Sequence, residues 1–462
     1  MKSAPFRFLR LFMAALLLVM ATWQPAYAQD DDGDAQISSL RDTETELLFK
    51  DISRPLIQAA GLDPNNVSIV LLNDPEINSF VATGQTVYVQ SGLLIAADNV
   101  NQLQGVLAHE LGHIAGGHSI RIRDSEGQST KISVATLVLG ALAMAAGAGE
   151  AGMGLMAAGQ QAAMSNVLAF SRTQEASADQ AAATYLSKSQ ISGKGLLDFF
   201  AKLQNEEYRL GNYDTDDYAN THPLSADRIQ ALEQLLKRDP AWSKPVDPAL
   251  NARFLRVKAK LIGFVDPKHA VQKYPESDQS VPGHYARAYA YHVGGYPQKA
   301  LSETEALLKT NPEDPFFLEL KGQILLESGK PAAAIAPLRE AATRSGNAPL
   351  IASMLGHALV ATEDPKNFPE AKQVLKAAVV KDDDNPFAWY QLGVIYDSEG
   401  DEGRAALATA ERSSLQGDYK QALASANLAM RGIPAGSPDW LRAQDISMTA
   451  RQHVKKKDGG DK

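Results

Sequence analysis

The sequence predicts a mainly α-helical protein in which an α+β part with a small β-sheet is followed by an α-solenoid. Two short runs, 67–72 and 86–89, are rich in β-branched and aromatic residues, which indicates strands. Apolar residues at helical spacing follow them, and Asp98 or Asn99 can cap that helix. From about 250 onward the chain is rich in Ala and Leu and repeats with a period of 34 residues, which is typical of stacked helix pairs.

Changes in composition and the positions of Pro and Gly divide the 462 residues into six predicted segments. They are a signal peptide (1–28), a flexible acidic N-terminus (29–47), the α+β domain (48–235), linker or capping helices (236–281), the repeats (282–434), and a C-terminal helix with a polar tail (435–462).

The first residues have the features of a secretory signal peptide. Three basic residues precede an apolar run, 11–20, that is too short to span a bilayer. The triplet Ala-Tyr-Ala at 26–28 is a small-x-small cleavage site. We therefore expect export to the bacterial periplasm, a mature chain that begins at Gln29, and no stable transmembrane anchor after cleavage. An uncleaved anchor is the alternative.

Charge and cysteine content exclude several classes of protein. The formal net charge is −9, and removal of 1–28, which holds three basic and no acidic residues, makes it more negative. Such a chain lacks the basic face that general nucleic-acid binding needs, so we expect no nucleic-acid partner. The chain has no cysteine. Disulfides and a lipid-anchored N-terminus are thereby excluded, and a zinc ion would have to be held by His and carboxylate side chains.

The C-terminal repeat is visible in the spacing of prolines and small residues. Pro315 and Gly322 recur 34 positions later as Pro349 and Gly356, and the same pair recurs 37 positions after that. Proline suits the first turn of a helix. The period resembles tetratricopeptide repeats over 282–434, with an irregular helical bundle as the alternative. Such stacks expose a concave face that usually binds another protein.

The predicted helix that follows Asn99 carries an H-E-x-x-H motif. Residues four apart share one face of a helix, so His109 and His113 can bind the same metal ion. Glu110 stands one position round, where a carboxylate can act as general base on a metal-bound water. The flanking residues are apolar, so the helix should be buried, and burying these groups without a partner would be costly. This favours a metal site over two ordinary surface histidines.

A third protein ligand has two candidate sources. The metzincin pattern wants a histidine where this chain has Ser119, so that class is disfavoured, and His118, one residue off, fits a supporting position. Glu175 and Asp179 lie four apart on a second predicted helix. Glu175 could bind the metal while Asp179 accepts an N–H from a ligand imidazole and fixes its tautomer. From spacing alone, an exposed acidic helix face explains this pair equally well.

The motif at 109–113, His118 and the run Glu-Ala-Ser-Ala-Asp at 175–179 together resemble the peptidase family of HtpX and the CAAX prenyl proteases. The exported layout with C-terminal tetratricopeptide repeats resembles the periplasmic β-barrel assembly-enhancing (BepA-type) proteases, over nearly the whole mature chain. This resemblance implies that 48–235 is a zincin-like metallopeptidase domain with a small β-sheet.

The resemblance also implies the composition of the site. It places one Zn²⁺ per chain on His109, His113 and Glu175, with Glu110 as the catalytic residue. It further implies that 77–94 forms the strand and turn beside the site. An edge strand there could bind an extended substrate by β-augmentation. The residues expected to form this substrate-binding strand are Gly84, Thr86, Val87, Tyr88 and Val89.

The run Thr-His-Pro-Leu-Ser at 221–225 matches a further motif of this subfamily. By that resemblance, His222 is a regulatory zinc ligand that displaces the catalytic water at rest and moves away on activation. An open coordination position is what a catalytic zinc requires, so an imidazole there would block it. A histidine that merely precedes a helix start is the alternative.

The apolar stretch 132–158, rich in Gly and Ala, has two interpretations. It is either a membrane-surface or active-site flap, or two buried helices that pack closely. The single charge at Glu150 and the many glycines favour the buried helices.

These features predict a zinc-dependent endopeptidase of the bacterial periplasm. The resemblance implies that its substrates are misfolded or stalled envelope and outer-membrane proteins. Its repeats could dock onto the outer-membrane assembly machinery. The alternative is a chaperone or assembly factor that acts mainly through its repeat domain while the metal site stays self-inhibited.

Overall fold

The structure is a computed structural model, and it describes residues 38–82, 84–118, 157, 171–210 and 222–459. Three expectations fall on residues outside these ranges. They are the signal peptide (1–28), the first part of the acidic N-terminus (29–37), and the apolar stretch 132–158, of which 157 alone is described.

The predicted flexibility of the acidic N-terminus up to residue 47 is wrong for its described part. Strand β1, Ser39–Leu40, joins the sheet, and helix α1, Thr43–Ala59, starts at the N-cap residue Asp42. Glu44 is buried within the first turn of that helix. Lys260 pairs with both carboxylates. Opposite charge therefore holds these acidic residues in place.

A four-stranded sheet lies at the start of the α+β part. Besides β1 it contains β2 (Ser68–Leu72), β3 (Ser79–Val81) and β4 (Thr86–Gln90). The strand order is β1-β2-β4-β3, with β2 and β4 parallel and the other two pairs antiparallel. Both strands predicted from the sequence are confirmed. β3 had not been predicted separately, and it forms one edge of the sheet.

The strand predicted to bind substrate is wrong in its details. Thr86, Val87, Tyr88 and Val89 belong to β4, which lies between β2 and β3 and is hydrogen-bonded to both. Gly84 lies in the turn before β4 with a φ of +85°. A strand that is paired on both sides cannot add a peptide to the sheet, because its backbone donors and acceptors are already used. β3 is the edge strand of this region.

Within the described ranges 84–118, 171–210 and 222–236, the α+β part contains five further helices. They are α2 (Ser91–Ala96), α3 (Val100–Gly116), α4 (171–188), α5 (Lys194–Leu210) and α6 (Ala226–Leu236).

Helix α3 runs through the middle of this part. Asn99 caps it, as predicted, by accepting hydrogen bonds from two backbone N–H groups of the first turn. Leu103 and Leu107 are fully buried. Gly117 ends the helix in the left-handed conformation with a φ of +63°, which glycine adopts without strain. The motif helix is therefore buried and fixed at both ends.

Helix pairs occupy the rest of the described chain. The helices are α7 (Pro248–Val265), α8 (Pro267–Lys273), α9 (Val281–Val293), α10 (Pro297–Thr310), α11 (Pro315–Glu327), α12 (Pro331–Arg344), α13 (Pro349–Val360), α14 (Phe368–Lys381), α15 (Pro386–Ser398), α16 (Glu402–Leu415), α17 (Tyr419–Gly432) and α18 (Pro438–Gly459). Short 3₁₀ turns lie at Pro240–Ser243 and Pro365–Asn367.

The repeated small residues lie where the paired helices cross. A Cβ atom on Gly322 of α11 would come within 2.3 Å of Leu338 in α12. One repeat later, a Cβ atom on Gly356 of α13 would come within 2.4 Å of Leu375 in α14. The same contact is thus built twice from the same residue types, as stacked repeats require. With the small sheet before them, these helix pairs confirm the predicted fold class.

Helix α7 lies within the predicted linker and packs against both the α+β part and the repeats. Its Phe254 and Val257 belong to the same hydrophobic core as α3, and the helix also lies against α9 of the repeats. The predicted linker or capping helices at 236–281 are therefore helical and share a core with the α+β part. Within the described residues, no helix is long and apolar enough to cross a membrane.

Candidate metal centre

The two motif histidines lie side by side on α3. His109 is 0% exposed and His113 is 8% exposed, and their Nε2 atoms are 3.1 Å apart. Glu110, between them in sequence, is also fully buried. Two imidazole nitrogens at this distance on adjacent turns of one helix can bind a single ion.

Helix α4 brings carboxylates to this pair because Gly112 allows a close approach. A Cβ atom on Gly112 would lie 2.9 Å from the backbone of Ala178. At this crossing, Glu175 and Asp179, one helical turn apart, both reach His109. The absence of a side chain at Gly112 therefore determines how closely Glu175 can approach the two histidines.

We expect Gly112→Ala to weaken metal binding without removing any polar group. Its methyl group would meet the backbone of α4, so the two helices must separate and Glu175 must move away from the histidines. Mutations that disturb the groups orienting the ligands of a metal ion typically lower metal affinity about 10- to 100-fold. Competition with a chromophoric chelator measures the change.

Gly393→Ala is the matched control, because its added Cβ would make an ordinary 3.5 Å contact with Ala408. An unchanged metal affinity in Gly112→Ala would contradict this account of the helix crossing.

Four side chains meet at one point in the site. His109, His113, Glu175 and His222 each offer a ligand atom, and these atoms all lie within 4.8 Å of one another. The carboxylate oxygens of Glu175 are 3.3 Å from the Nε2 atoms of His109 and His113. They are 3.1 and 3.2 Å from Nδ1 of His222. Tetrahedral ligands about 2.0–2.1 Å from a zinc ion would lie roughly 3.3–3.4 Å apart, so these separations fit such an ion.

The neighbours of the imidazole rings fix which nitrogens can bind a metal. Nδ1 of His109 lies 3.0 Å from Asp179, and Nδ1 of His113 lies 3.0 Å from His118. A carboxylate can only accept, so Nδ1 of His109 carries a proton, and Nε2 is the nitrogen that faces the cluster and could bind a metal ion. His118 can accept from His113 in the same way. Asp179 and His118 therefore lie next to the two motif histidines, and their supporting roles stay predictions.

His222 precedes α6, which starts at the N-cap residue Ser225, and it is 5% exposed. Its Nε2 lies 3.2 Å from the backbone carbonyl oxygen of Ser79. A carbonyl oxygen only accepts, so Nε2 carries a proton, and Nδ1 is the nitrogen that a metal ion in the cluster could bind. Nδ1 lies 3.4 Å from Nε2 of His109 and 3.1 Å from Oε1 of Glu175. The residue therefore lies before a helix start and also belongs to the group of side chains that could hold a metal ion.

The buried charges of the site call for a cation. Glu110, Glu175 and Asp179 are all buried, and one guanidinium, that of Arg228, contacts the last two. Burial alone would lower the pKa of His109, but the carboxylates of Asp179 and Glu175 raise it to about 10. Without a metal, a proton on this histidine supplies part of the missing positive charge. A divalent cation would supply that charge at the same place, so the residues fit a bound metal ion.

The pKa values of the two carboxyl groups are shifted in the opposite direction, downward. Burial would raise the pKa of Glu175, but hydrogen bonds from His109, His113 and His222 hold it far below its ordinary value. Burial would also raise the pKa of Asp179, yet His109 and Arg228 lower it. Both shifts favour the anionic form that a carboxylate needs in order to bind or support a metal ion.

The structure also shows neighbours that the sequence interpretation missed. Phe200 of α5 packs its ring 6.0 Å from that of His109 and forms a wall of the site. The N–H groups of Arg228 are bound to Asp179, Glu175 and the carbonyl of Pro223. It holds the loop of His222 against the carboxylates of α4.

Comparison with known proteins bears on the identity of this site. The model of peptidase family M48 matches residues 44–236, the part of the chain that contains the cluster. Residues 44–236 are a domain of peptidase family M48. The predicted resemblance is thereby confirmed, and the chain is a metalloendopeptidase.

Curated relatives extend beyond this domain. A β-barrel assembly-enhancing protease of Yersinia pestis is 25% identical over 380 residues, which cover 80% of this chain and 76% of that protein. The metalloprotease YcaL of Escherichia coli is 28% identical over 205 residues, covering 44% of this chain and 74% of that protein. Among solved structures, the tetratricopeptide protein YrrB covers 38% of this chain and 92% of its own at 21% identity, with a TM-score of 0.31.

Proposed function

We propose that the chain is a zinc-dependent endopeptidase of the bacterial periplasm that hydrolyses misfolded or stalled envelope proteins and rests in a self-inhibited state. The observation that carries this proposal is the cluster of His109, His113, Glu175 and His222 directly beside the buried Glu110. In this proposal the peptidase domain covers 48–235.

The donor set favours zinc among divalent metals. His109 and His113 offer nitrogen and Glu175 offers oxygen, the ligands of known catalytic zinc sites, at spacings that suit tetrahedral coordination. When bound, a zinc ion lowers the pKa of a coordinated water towards neutrality and polarises the carbonyl group of a peptide bond.

Glu110 is placed to move protons in hydrolysis. Its Oε1 accepts a hydrogen bond from the Ser79 hydroxyl at 2.8 Å, and its Oε2 has no hydrogen-bond partner among the described residues. A buried carboxylate oxygen without a partner is costly unless a ligand completes it. We assign Glu110 as the general base that takes a proton from the attacking water and passes it to the leaving amine.

His222 supports the proposal of self-inhibition. Its Nδ1 takes the fourth corner of the cluster, next to the nitrogen of His109 and both oxygens of Glu175. With an imidazole in that position, no corner is open for the water that a catalytic site needs. Hydrolysis would then require His222 to leave.

The class of substrate rests on the relatives. The Yersinia pestis and Escherichia coli proteins are named β-barrel assembly-enhancing proteases and match 80% of this chain. We extend that assignment to this chain, with envelope and outer-membrane proteins as substrates and the repeats at 282–434 as a docking region for assembly machinery. A chaperone or assembly factor that acts through the repeats remains the second candidate, favoured by the blocked fourth corner.

Metal analysis together with casein cleavage by the full mature chain tests the proposal. We expect about one zinc per chain, cleavage that a chelator abolishes and zinc restores, and faster cleavage by His222→Ala, because that change opens the fourth corner. A well-folded sample that binds no zinc when metal is supplied would contradict the zinc site. Zinc binding without cleavage, even in His222→Ala, would favour the chaperone candidate.

A further inference from the structure

Ser79 lies on the edge strand β3 and is 0% exposed. The backbone N–H of Gln90 in β4 donates to the carbonyl of Asn78, and Ser79 itself stands opposite Val89. In an antiparallel pair, hydrogen-bonded residues alternate with residues whose N–H and C=O point the other way. The carbonyl of Ser79 therefore points away from β4, towards the side where a further strand would add.

At rest this carbonyl is already bound by His222, whose Nε2 donates to it across 3.2 Å. A peptide that adds to β3 as an extended strand needs such outward acceptors for its own backbone N–H groups. His222 and a substrate backbone therefore compete for the same oxygen atom. This competition is separate from metal binding, because Nε2 binds the carbonyl and lies 3.6 Å from Oε1 of Glu110, whereas Nδ1 is the nitrogen beside Glu175 and His109.

The side chain of Ser79 makes a second connection. Its hydroxyl donates to Oε1 of Glu110 at 2.8 Å, while Oε2 has no hydrogen-bond partner among the described residues. One oxygen of the carboxylate is thus held by the edge strand, and the other is left for the reaction. A general base must be held within hydrogen-bond reach of the proton it removes.

We propose that Ser79 is a positioning residue that connects substrate binding on β3 to the two groups that control hydrolysis. Its carbonyl binds the substrate backbone and, in doing so, gives up His222. Its hydroxyl keeps Glu110 in place while this exchange occurs. This inference rests on the proposed function, and it adds that an extended substrate itself displaces the inhibitory histidine.

The first experiment measures the competition by binding. Fluorescein-labelled β-casein is titrated against full-length, zinc-loaded Glu110→Gln with and without His222→Ala, and again after chelation. We expect His222→Ala to tighten binding, and about a three- to tenfold difference to remain without metal, which is the size of one hydrogen bond. If His222 blocked only the metal, chelation would remove the difference and overturn the inference.

The second readout follows His222 directly. Diethyl pyrocarbonate modifies accessible imidazoles, and mass spectrometry gives the extent of labelling at each site. Bound β-casein should raise labelling of His222 several-fold, because the ring leaves its buried place, while the exposed His269 serves as the reference within the same sample. Continued protection of His222 under saturating β-casein would show that substrate does not displace it.

The third experiment separates positioning from structure. In the chain that retains Glu110, Ser79→Ala should lower kcat about 10- to 100-fold, because Glu110 loses its hydrogen bond. KM should change less than about twofold, since the backbone carbonyl that binds substrate is retained. Ser79→Thr keeps the hydroxyl and should recover most of the rate. Equal zinc content in all three chains excludes a folding defect. An unchanged kcat in Ser79→Ala would overturn the assignment, whereas absent cleavage in the parent chain would instead contradict the proposed function.

Discussion

Glu110→Gln is expected to abolish peptide hydrolysis while the metal site stays intact. Glutamine has the shape of glutamate, and its Oε1 can still accept the hydrogen bond from the Ser79 hydroxyl. It cannot take a proton from water. Loss of a general base costs about 10²–10⁴ in rate, which would bring casein cleavage to the background. Because Glu110 is outside the ligand cluster, zinc content should equal that of the parent chain.

His109→Ala is the comparison that gives this result its meaning. His109 offers a ligand atom, so its removal should lower both the zinc content and the rate. Loss of rate with full zinc in one variant and loss of both in the other would assign the two positions separately. Casein cleavage that survives in Glu110→Gln at the parent rate would mean that another residue acts as the base or that a contaminating protease is present.

Local pattern was sufficient to predict the motif helix and the repeats. Asn99 caps α3 and the histidines share a face because both properties depend on residues within a few positions of each other. The crossings at Gly322 and Gly356 were likewise predictable, since a repeated chain must repeat its contacts. The spacing of residues in the sequence thus predicts contacts between residues that are close in the chain.

Tertiary packing decided the features that the sequence interpretation missed. β3 rather than β4 is the edge strand, because strand order depends on which strands pair and not on their composition. Ser79 and Phe200 reach the site from elements distant in sequence, and nothing in their local pattern distinguishes them from ordinary core residues. Glu175 was assigned only through family resemblance, because its spacing from Asp179 is equally typical of a solvated helix face.

The described part of the acidic N-terminus was interpreted wrongly for a related reason. A run of acidic residues is usually solvated, but Glu44 finds Arg256 and Lys260, which come from α7 about two hundred positions away. Such partners cannot be found from a charge count. Their pairing ties the first helix of the peptidase part to α7, which also lies against the first helix of the repeats.

Arg256→Met is expected to destabilise this junction by about 3–5 kcal/mol, because it leaves buried carboxylates without their partner. Arg256 pairs with Glu44, and it binds both oxygens of Asp314 at 2.8 and 3.0 Å. Its guanidinium also lies 4.5 Å from the ring centre of Phe317. Burial alone would lower the pKa of Arg256, but the two carboxylates raise it, so the cation is strongly held. Methionine keeps the apolar stem but not the charge.

Arg339→Met provides the matched control, because Arg339 and Glu370 form a bidentate pair whose side chains are 50% and 39% exposed. Exposed pairs contribute about 0–1 kcal/mol, so this variant should resemble the parent. Native-state hydrogen exchange of amides in α1 and α11 measures the difference locally, which avoids assuming that a chain of this size unfolds in one step. Faster exchange in both helices for Arg256→Met alone would show that buried charge fixes the repeats to the peptidase part. Equal exchange in the two variants would mean that the apolar core around Phe254 and Val257 is sufficient to hold them together.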